Sequence, residues 1–258
     1  METIVLHFTN VYDAQNFETF KNTAHIDCQN LQGVDCFCSE EAATHLKEKI
    51  AAFSPRGIHF LDSGNYHYMT KLWTDKIAEP FSLLLFDRHT DLQSSSLFDL
   101  LSCGSWVKYM LEENSFLQQI LIIGPEKNAL ERDVKDLPAS MQERISFISL
   151  DPLPDNASDL LLSWVNQQGD TPYYLSIDKD LLSLQDAVTN WDQGNISLHT
   201  LLSLLTCLKK GTCIGVDICG ECQPDLDFIE LSKVSSVNQK ANSSLYDICR
   251  HILSSSNR

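Results

Sequence analysis

Residues 82–93 read SLLLFDRHTDLQ, an apolar run that leads directly into alternating polar residues. A short, continuous apolar run is typical of a strand buried on both faces of a parallel sheet. Alternate residues of extended backbone share one face, so Asp87, His89 and Asp91 are predicted to project together from the end of this strand. Arg88 and Thr90 are predicted to point away. The segment thus predicts a cluster of oxygen and imidazole ligands.

A second strand-like run ends in the same way. Residues 173–177 read YYLSI and are followed by Asp178, Lys179 and Asp180. The period of two again places both carboxylates on one face. His67 follows the strand-like residues 57–61 after a short loop and is a candidate sixth ligand.

The rest of the chain alternates strand-like and helix-like segments. Further apolar runs occupy residues 3–8, 119–123, 145–150 and 213–216. Amphipathic stretches at 39–53 and 197–210 begin with Ser39 and Ser197, which are suitable helix N-caps. This alternation predicts an α/β fold with a mainly parallel sheet, helices on both faces and one domain over residues 1–258. Ligands of such sheets bind beyond the carboxyl ends of the strands.

The composition excludes several classes of partner. The chain has 35 Asp and Glu against 19 Lys and Arg, a formal charge of -16 over 258 residues. This charge repels nucleic acid and anionic membrane surfaces, so neither is an expected partner. No apolar stretch reaches the roughly 18 residues of a membrane span, and the first residues lack the basic start of a secretory signal. A soluble, cytoplasmic protein is expected.

The nine cysteines are predicted to be reduced thiols that mostly pack in the core. Cys36 and Cys38, and likewise Cys219 and Cys222, have the spacing of metal or redox pairs. Each pair lacks the second pair that a structural zinc site needs. Neither is predicted to be a functional centre.

Four aspartates in one pocket cannot all stay ionised without cations, because like charges at close range raise one another's pKa. Two divalent ions would balance four carboxylates, with two neutral imidazoles completing the ligand set. Oxygen and imidazole ligands without thiolate favour manganese over zinc. An isolated DxHxD or DxD motif can be a turn or a helix cap. Their joint occurrence after two buried strands favours a metal site.

Three motifs together resemble the arginase (ureohydrolase) superfamily: GNYH at 64–67, DRHTD at 87–91 and SIDKD at 176–180. Their order and spacing are similar to those of the family over nearly the whole chain. The resemblance implies a three-layer α/β/α sandwich with an eight-stranded, mainly parallel sheet. It also implies the metal ligands: Asp87 and Asp178 bridge two ions, His67 and Asp91 complete one coordination shell, and His89 and Asp180 complete the other.

The same resemblance implies the chemistry. A hydroxide bridging the two metals would attack the carbon of a guanidino or amidino compound and cleave a C–N bond. Asp91 is the expected catalytic residue that relays the proton of this hydroxide. The segment 215–221, GVDICGE, resembles the family's substrate-binding segment with one extra residue, so Glu221 is the expected substrate anchor. Homo-oligomers are common in the family, and one is possible here.

The resemblance has departures that leave the substrate open. Residues 100–109, LLSCGSWVKY, lack the histidine that shuttles protons in arginases. Arginine, agmatine, formiminoglutamate, another small guanidine and a peptidyl arginine all remain candidates. The missing histidine also favours an alternative: a non-catalytic, metal-binding regulatory or interaction protein on the same scaffold. A single-metal deacetylase on a related fold is disfavoured because the chain has no adjacent His-His pair.

Overall fold

The computed structural model describes residues 1–93, 100–222, 226 and 228–255. Its central feature is an eight-stranded sheet in the order β2-β1-β4-β10-β9-β5-β7-β8, with every pairing parallel. A two-stranded antiparallel sheet, β3 with β6, lies apart from it. The strands are β1 Glu2–His7, β2 Thr23–Asp27, β3 Phe37–Cys38, β4 Gly57–Phe60, β5 Phe81–Phe86, β6 Leu101–Ser102, β7 Leu117–Gly124, β8 Ile145–Ser149, β9 Tyr173–Asp178 and β10 Cys213–Cys219.

Helices follow most of the strands of the large sheet. They are α1 Glu40–Ile50, α2 Met69–Thr74, α3 Trp106–Glu113, α4 Lys127–Val134, α5 Ala139–Gln142, α6 Ala157–Gln167, α7 Leu198–Thr206 and α8 Phe228–Ser255. Short 3-10 turns occupy Gly64–Tyr66, Lys179–Leu181 and Cys207–Lys210. Within the described ranges, no helix is both long enough and apolar enough to cross a membrane.

The sheet separates two hydrophobic cores, and strand β5 shows how. All six of its residues are buried. Leu84 and Phe86 pack into one core, whereas Leu83 and Leu85 pack into the other. Period-two alternation of apolar residues therefore covers both faces of the sheet, as parallel strands between helical layers require. The predicted three-layer α/β/α arrangement with eight parallel strands is confirmed.

The predicted helix starts are also present. The Ser39 side chain accepts a hydrogen bond from the Ala42 amide at 3.1 Å, and Ser197 does the same for Thr200. Strand β2 was not predicted. It lies at the edge of the sheet, and its sequence, TAHID, carries no continuous apolar run; among its five residues only Ile26 is buried.

The strand order brings distant motifs to one edge of the sheet. Strands β4, β10, β9 and β5 are consecutive neighbours. Phe86 pairs with Ile177, so Asp87 and Asp178 follow at the same level of adjacent strands. Since the strands are parallel, their carboxyl ends share this edge.

Candidate metal centre

All six predicted ligands come together at the carboxyl ends of the central strands. His67 lies among three carboxylates: its Nδ1 is 3.1 Å from Asp87 Oδ2, 3.2 Å from Asp91 Oδ2 and 3.5 Å from Asp178 Oδ2. These four side chains are almost completely buried. One histidine therefore contacts carboxylates from two different strand ends.

His89 forms the second half of the cluster. Its Nδ1 lies 2.8 Å from Asp180 Oδ2 and 3.6 Å from Asp87 Oδ1. Two groups of potential ligands result, one of His67, Asp87 and Asp91 and the other of Asp87, His89 and Asp180. Asp87 belongs to both groups and presents a different oxygen to each histidine.

Neighbouring residues orient these side chains. The Nε2 of His67 lies 2.8 Å from the Ser176 hydroxyl on β9, which directs Nδ1 toward the carboxylates. Arg88 forms an ion pair with Glu126, and Thr90 donates to Asp133. Both side chains thus point away from the cluster, as predicted. Asp91 itself is not in extended backbone, because its φ is positive, at 49°. Its side chain nevertheless faces the cluster.

Trp106, the first residue of α3, is a site residue that the sequence analysis missed. Its indole N–H donates to Asp91 Oδ2, and its ring is fully buried beside the ring of His67. Trp106 belongs to the segment in which the shuttle histidine of arginases is absent. Its position on the buried face of an amphipathic helix does not distinguish it from an ordinary core tryptophan.

Burial and charge repulsion perturb the carboxylates. Burial and the neighbouring Asp87 raise the pKa of Asp91 to about 6. Burial, followed by the charges of other aspartates, also raises the pKa values of Asp178 and Asp180. Burial opposes ionisation of His89, but hydrogen bonds to Asp180 and Asp87 raise its pKa to about 12. The cluster therefore retains protons strongly when no other cation is present.

The cluster forms the floor of a cavity of about 670 Å³. Phe37 and Leu100 supply apolar walls, and Gln93 and Ser102 supply polar groups. Trp191 also lines the cavity, with 40% of its surface exposed and its ring centre 5.9 Å from that of His89. No lysine or arginine from the described parts of the chain lines this cavity.

Glu221 lies outside this cavity, contrary to its expected role as substrate anchor. Its carboxylate is fully buried, pairs with Lys179 Nζ, and accepts further hydrogen bonds from Gln15, Asn238 and Asn242. Both oxygens are therefore occupied within the protein.

Gly220 allows the chain to turn between the end of β10 and Glu221. Its φ is +90°, and an added Cβ would lie 2.3 Å from Asp178 Oδ1, so this position requires glycine. The residue after this turn, Glu221, is directed toward Lys179 and α8 instead of the cavity.

Comparison with known proteins supports the same family. A relative from Thermotoga maritima, described as an uncharacterized protein, is 27% identical over 243 residues, which cover 94% of this chain and 88% of that protein. Proclavaminate amidino hydrolase from Streptomyces clavuligerus superposes with a TM-score of 0.70 at 11% identity, covering 99% of this chain and 92% of the other.

Two further structures share the fold. Formimidoylglutamase from Bacillus subtilis gives a TM-score of 0.66 at 14% identity, with 98% and 86% of the two chains covered. Formiminoglutamase from Trypanosoma cruzi, solved with Mn²⁺, also gives 0.66, at 12% identity, with 100% and 94% covered. The model of the arginase family matches residues 7–239. Together with the fold and its His and Asp cluster, this match shows that the chain belongs to the arginase family.

Proposed function

We propose that this protein is a hydrolase that uses two divalent metal ions, manganese being favoured, to cleave a C–N bond of a guanidino or amidino compound. The main support is the sharing of Asp87 by two groups of three potential ligands. His67 and Asp91 would complete one ion's shell, and His89 and Asp180 the other's. Asp178, whose Oδ2 lies 3.5 Å from His67 Nδ1, would be the sixth ligand.

The charges of the cluster fit two divalent cations. Four buried carboxylates face each other there, and Lys179, although adjacent in sequence to two of them, directs its ammonium group to Glu221. Since no lysine or arginine among the described residues lines the cavity, the negative charge lacks a fixed counterion. Oxygen and imidazole donors without thiolate support manganese. Burial and, after it, the charges of neighbouring aspartates raise the pKa values of Asp91, Asp178 and Asp180, and a bound cation would oppose both effects.

When bound, the two ions would supply Lewis-acid activation of a water molecule. Asp91 is the proposed proton acceptor for that water, because its carboxylate faces the cluster and the cavity. Trp106 would hold Asp91 in place through its indole N–H. The contact between His67 Nε2 and Ser176 would hold the His67 ring so that its Nδ1 faces the carboxylates.

Trp191 replaces Glu221 as the proposed contact for the planar cationic group of the substrate. It is the exposed aromatic ring beside His89, and its Nε1 donates to Asn65 Oδ1 at 2.9 Å, which fixes the ring in the cavity wall. Guanidinium and amidinium ions bind favourably over the faces of tryptophan rings. An aromatic contact of this kind needs no additional carboxylate.

The test is metal analysis combined with an activity screen. After dialysis against Mn²⁺, the wild type is expected to retain two ions per chain by elemental analysis. Asp87→Ala should lose both ions because it removes the shared ligand, whereas His67→Ala should keep the ion held by His89 and Asp180. The exposed Asp136→Asn is a matched control that should bind like the wild type.

The loaded wild type should then release urea or ammonia from at least one guanidino or amidino compound. Arginine, agmatine, formiminoglutamate and arginyl peptides form the first panel. Two bound ions without turnover across the whole class would contradict the proposed hydrolase and favour the non-catalytic alternative. Metal content near zero in the wild type would contradict the metal centre itself.

A further inference from the structure

Cys36 and Cys103 face each other across the small antiparallel sheet. Phe37 of β3 pairs with Ser102 of β6, so the preceding Cys36 lies opposite the following Cys103. The Cys103 amide donates to the Cys36 carbonyl at 2.9 Å. Cys36 itself lies outside β3, at a positive φ of 57°, and a hydrogen bond between its thiol and that of Cys103 places the two sulfur atoms next to each other, as a disulfide requires.

Both thiols are placed for reaction. They are half-buried, and both line the cavity that contains the metal-ligand cluster. The Cys103 thiol forms a hydrogen bond with Cys36, which lowers the pKa of Cys36 by stabilising its thiolate. In contrast, the hydrogen bond to Cys36, followed by burial, raises the pKa of Cys103, and burial raises the pKa values of Cys28, Cys38 and Cys249, so Cys36 is the thiol that reacts first. The thiolate is the reactive form of cysteine.

We propose that Cys36 and Cys103 form a reversible disulfide in the wall of this cavity when the protein meets a peroxide. The Cys36 thiolate attacks one peroxide oxygen, the O–O bond breaks, and Cys36 becomes a sulfenic acid as hydroxide leaves and is protonated to water. The Cys103 sulfur then attacks the Cys36 sulfur and expels a second water. The two thiols together lose two electrons and two protons, and hydrogen peroxide is reduced to two waters.

The bond would constrain the rim of the site. Asp35, next to Cys36, accepts a hydrogen bond from Asn65 at 2.7 Å, and Asn65 in turn accepts from Trp191. Phe37, on the other side of Cys36, lines the cavity directly. The oxidation state of the pair is therefore connected to the proposed substrate contact through residues that touch one another.

The test is peptide mapping of the full-length protein. Reduced protein is treated with stoichiometric hydrogen peroxide, its remaining thiols are alkylated, and it is digested without reductant. The expected product is one peptide pair joined through Cys36 and Cys103, with the loss of two hydrogen masses, and dithiothreitol should reverse it. The linked pair should disappear in Cys36→Ser and in Cys103→Ser.

Cys207→Ser is the matched control, because Cys207 is also a half-buried thiol but does not line the cavity. This variant should form the Cys36–Cys103 link to the same extent as the wild type. The proposal is overturned if, in the wild type, Cys103 remains fully alkylated while Cys36 is oxidised to sulfinic acid. It is equally overturned if Cys36 links to a different cysteine.

Discussion

The orientation of the Asp91 carboxylate depends on a hydrogen bond from the Trp106 indole, which the DxHxD motif does not indicate. The N–H of Trp106 donates to the Oδ2 atom that also lies 3.2 Å from His67. Residues that hydrogen-bond to metal ligands fix ligand orientation, and their loss commonly weakens metal binding about 10- to 100-fold. Trp106 therefore belongs to the functional site although it cannot bind a metal.

Trp106→Phe should retain the fold and weaken Mn²⁺ binding by about 10- to 100-fold, because it removes the N–H donor but keeps most of the buried ring. Calorimetric titration of the metal-free protein with Mn²⁺ measures the effect. Trp164→Phe is a suitable control, since Trp164 packs in the core on the opposite face of the sheet. Equal Mn²⁺ affinities of the two variants would contradict the role of Trp106.

Trp191 is expected to determine substrate affinity. Cation–π contacts are worth about 0.5–2 kcal/mol, so Trp191→Leu should raise KM about 2- to 30-fold for the compound identified in the urea- and ammonia-release screen. Trp191→Phe should give an intermediate value because phenylalanine keeps a smaller aromatic face. Metal content should match that of the wild type in both variants. An unchanged KM in the leucine variant would place the substrate elsewhere in the cavity.

The 3-10 turn Lys179–Leu181 connects the candidate metal site to the C-terminal helix. Asp178 and Asp180 face the metal-ligand cluster, whereas Lys179 between them forms a buried ion pair with Glu221. Asn238 and Asn242 of α8 donate to the same Glu221 carboxylate. The strand end that presents two candidate metal ligands is thus connected to the long C-terminal helix.

Glu221→Gln should lower the free energy of unfolding by about 3–5 kcal/mol, because it leaves the buried charge of Lys179 without its partner. The double variant with Lys179→Met should lose less than the sum of the two single variants. Urea denaturation measures all three. Glu79→Gln, which breaks the exposed pair with Arg56, is the control and should cost only about 0–1 kcal/mol. Unchanged stability of Glu221→Gln together with a raised KM would return Glu221 to the substrate site.

The eight-stranded sheet couples the two hydrophobic cores. Adjacent residues of β5 enter opposite cores, so neither core can lose its packing without exposing one face of the same strands. Trp164 is buried in one core, whereas Trp73 and Trp106 are buried in the other, so tryptophan fluorescence follows the unfolding of both cores. This arrangement favours the predicted single domain.

Leu84→Ala and Leu85→Ala should each lower the free energy of unfolding by about 2–5 kcal/mol, since each leaves a cavity in a fully buried layer. Because the sheet is shared, both variants should unfold in one transition that coincides by tryptophan fluorescence and far-ultraviolet circular dichroism. Separate transitions for the two probes would show that the layers unfold independently, and the prediction of one cooperative domain would be wrong.

Local sequence patterns are sufficient to predict the parallel α/β architecture and the position of the candidate ligands. These properties depend on local periodicity. The six buried residues of β5 lead directly into Asp87, and the six buried residues of β9 end at Asp178, two positions before Asp180. A strand end and its alternation can be recognised without knowing what packs against it. The edge strand β2 lacks this signal because its sequence, TAHID, contains no continuous apolar run and buries only Ile26.

The contact partners of the other site residues depend on long-range packing, which local sequence patterns do not reveal. The sequence shows that Glu221 has a carboxylate but not which way its side chain points. Its contacts are with Gln15, Lys179 and Asn242, which lie in three distant parts of the chain. Cys36 likewise has a near neighbour in sequence, Cys38, yet the strand register places it opposite Cys103. Such contacts depend on which elements pack together and on how the chain turns at Gly220, and neither is encoded in a local repeat.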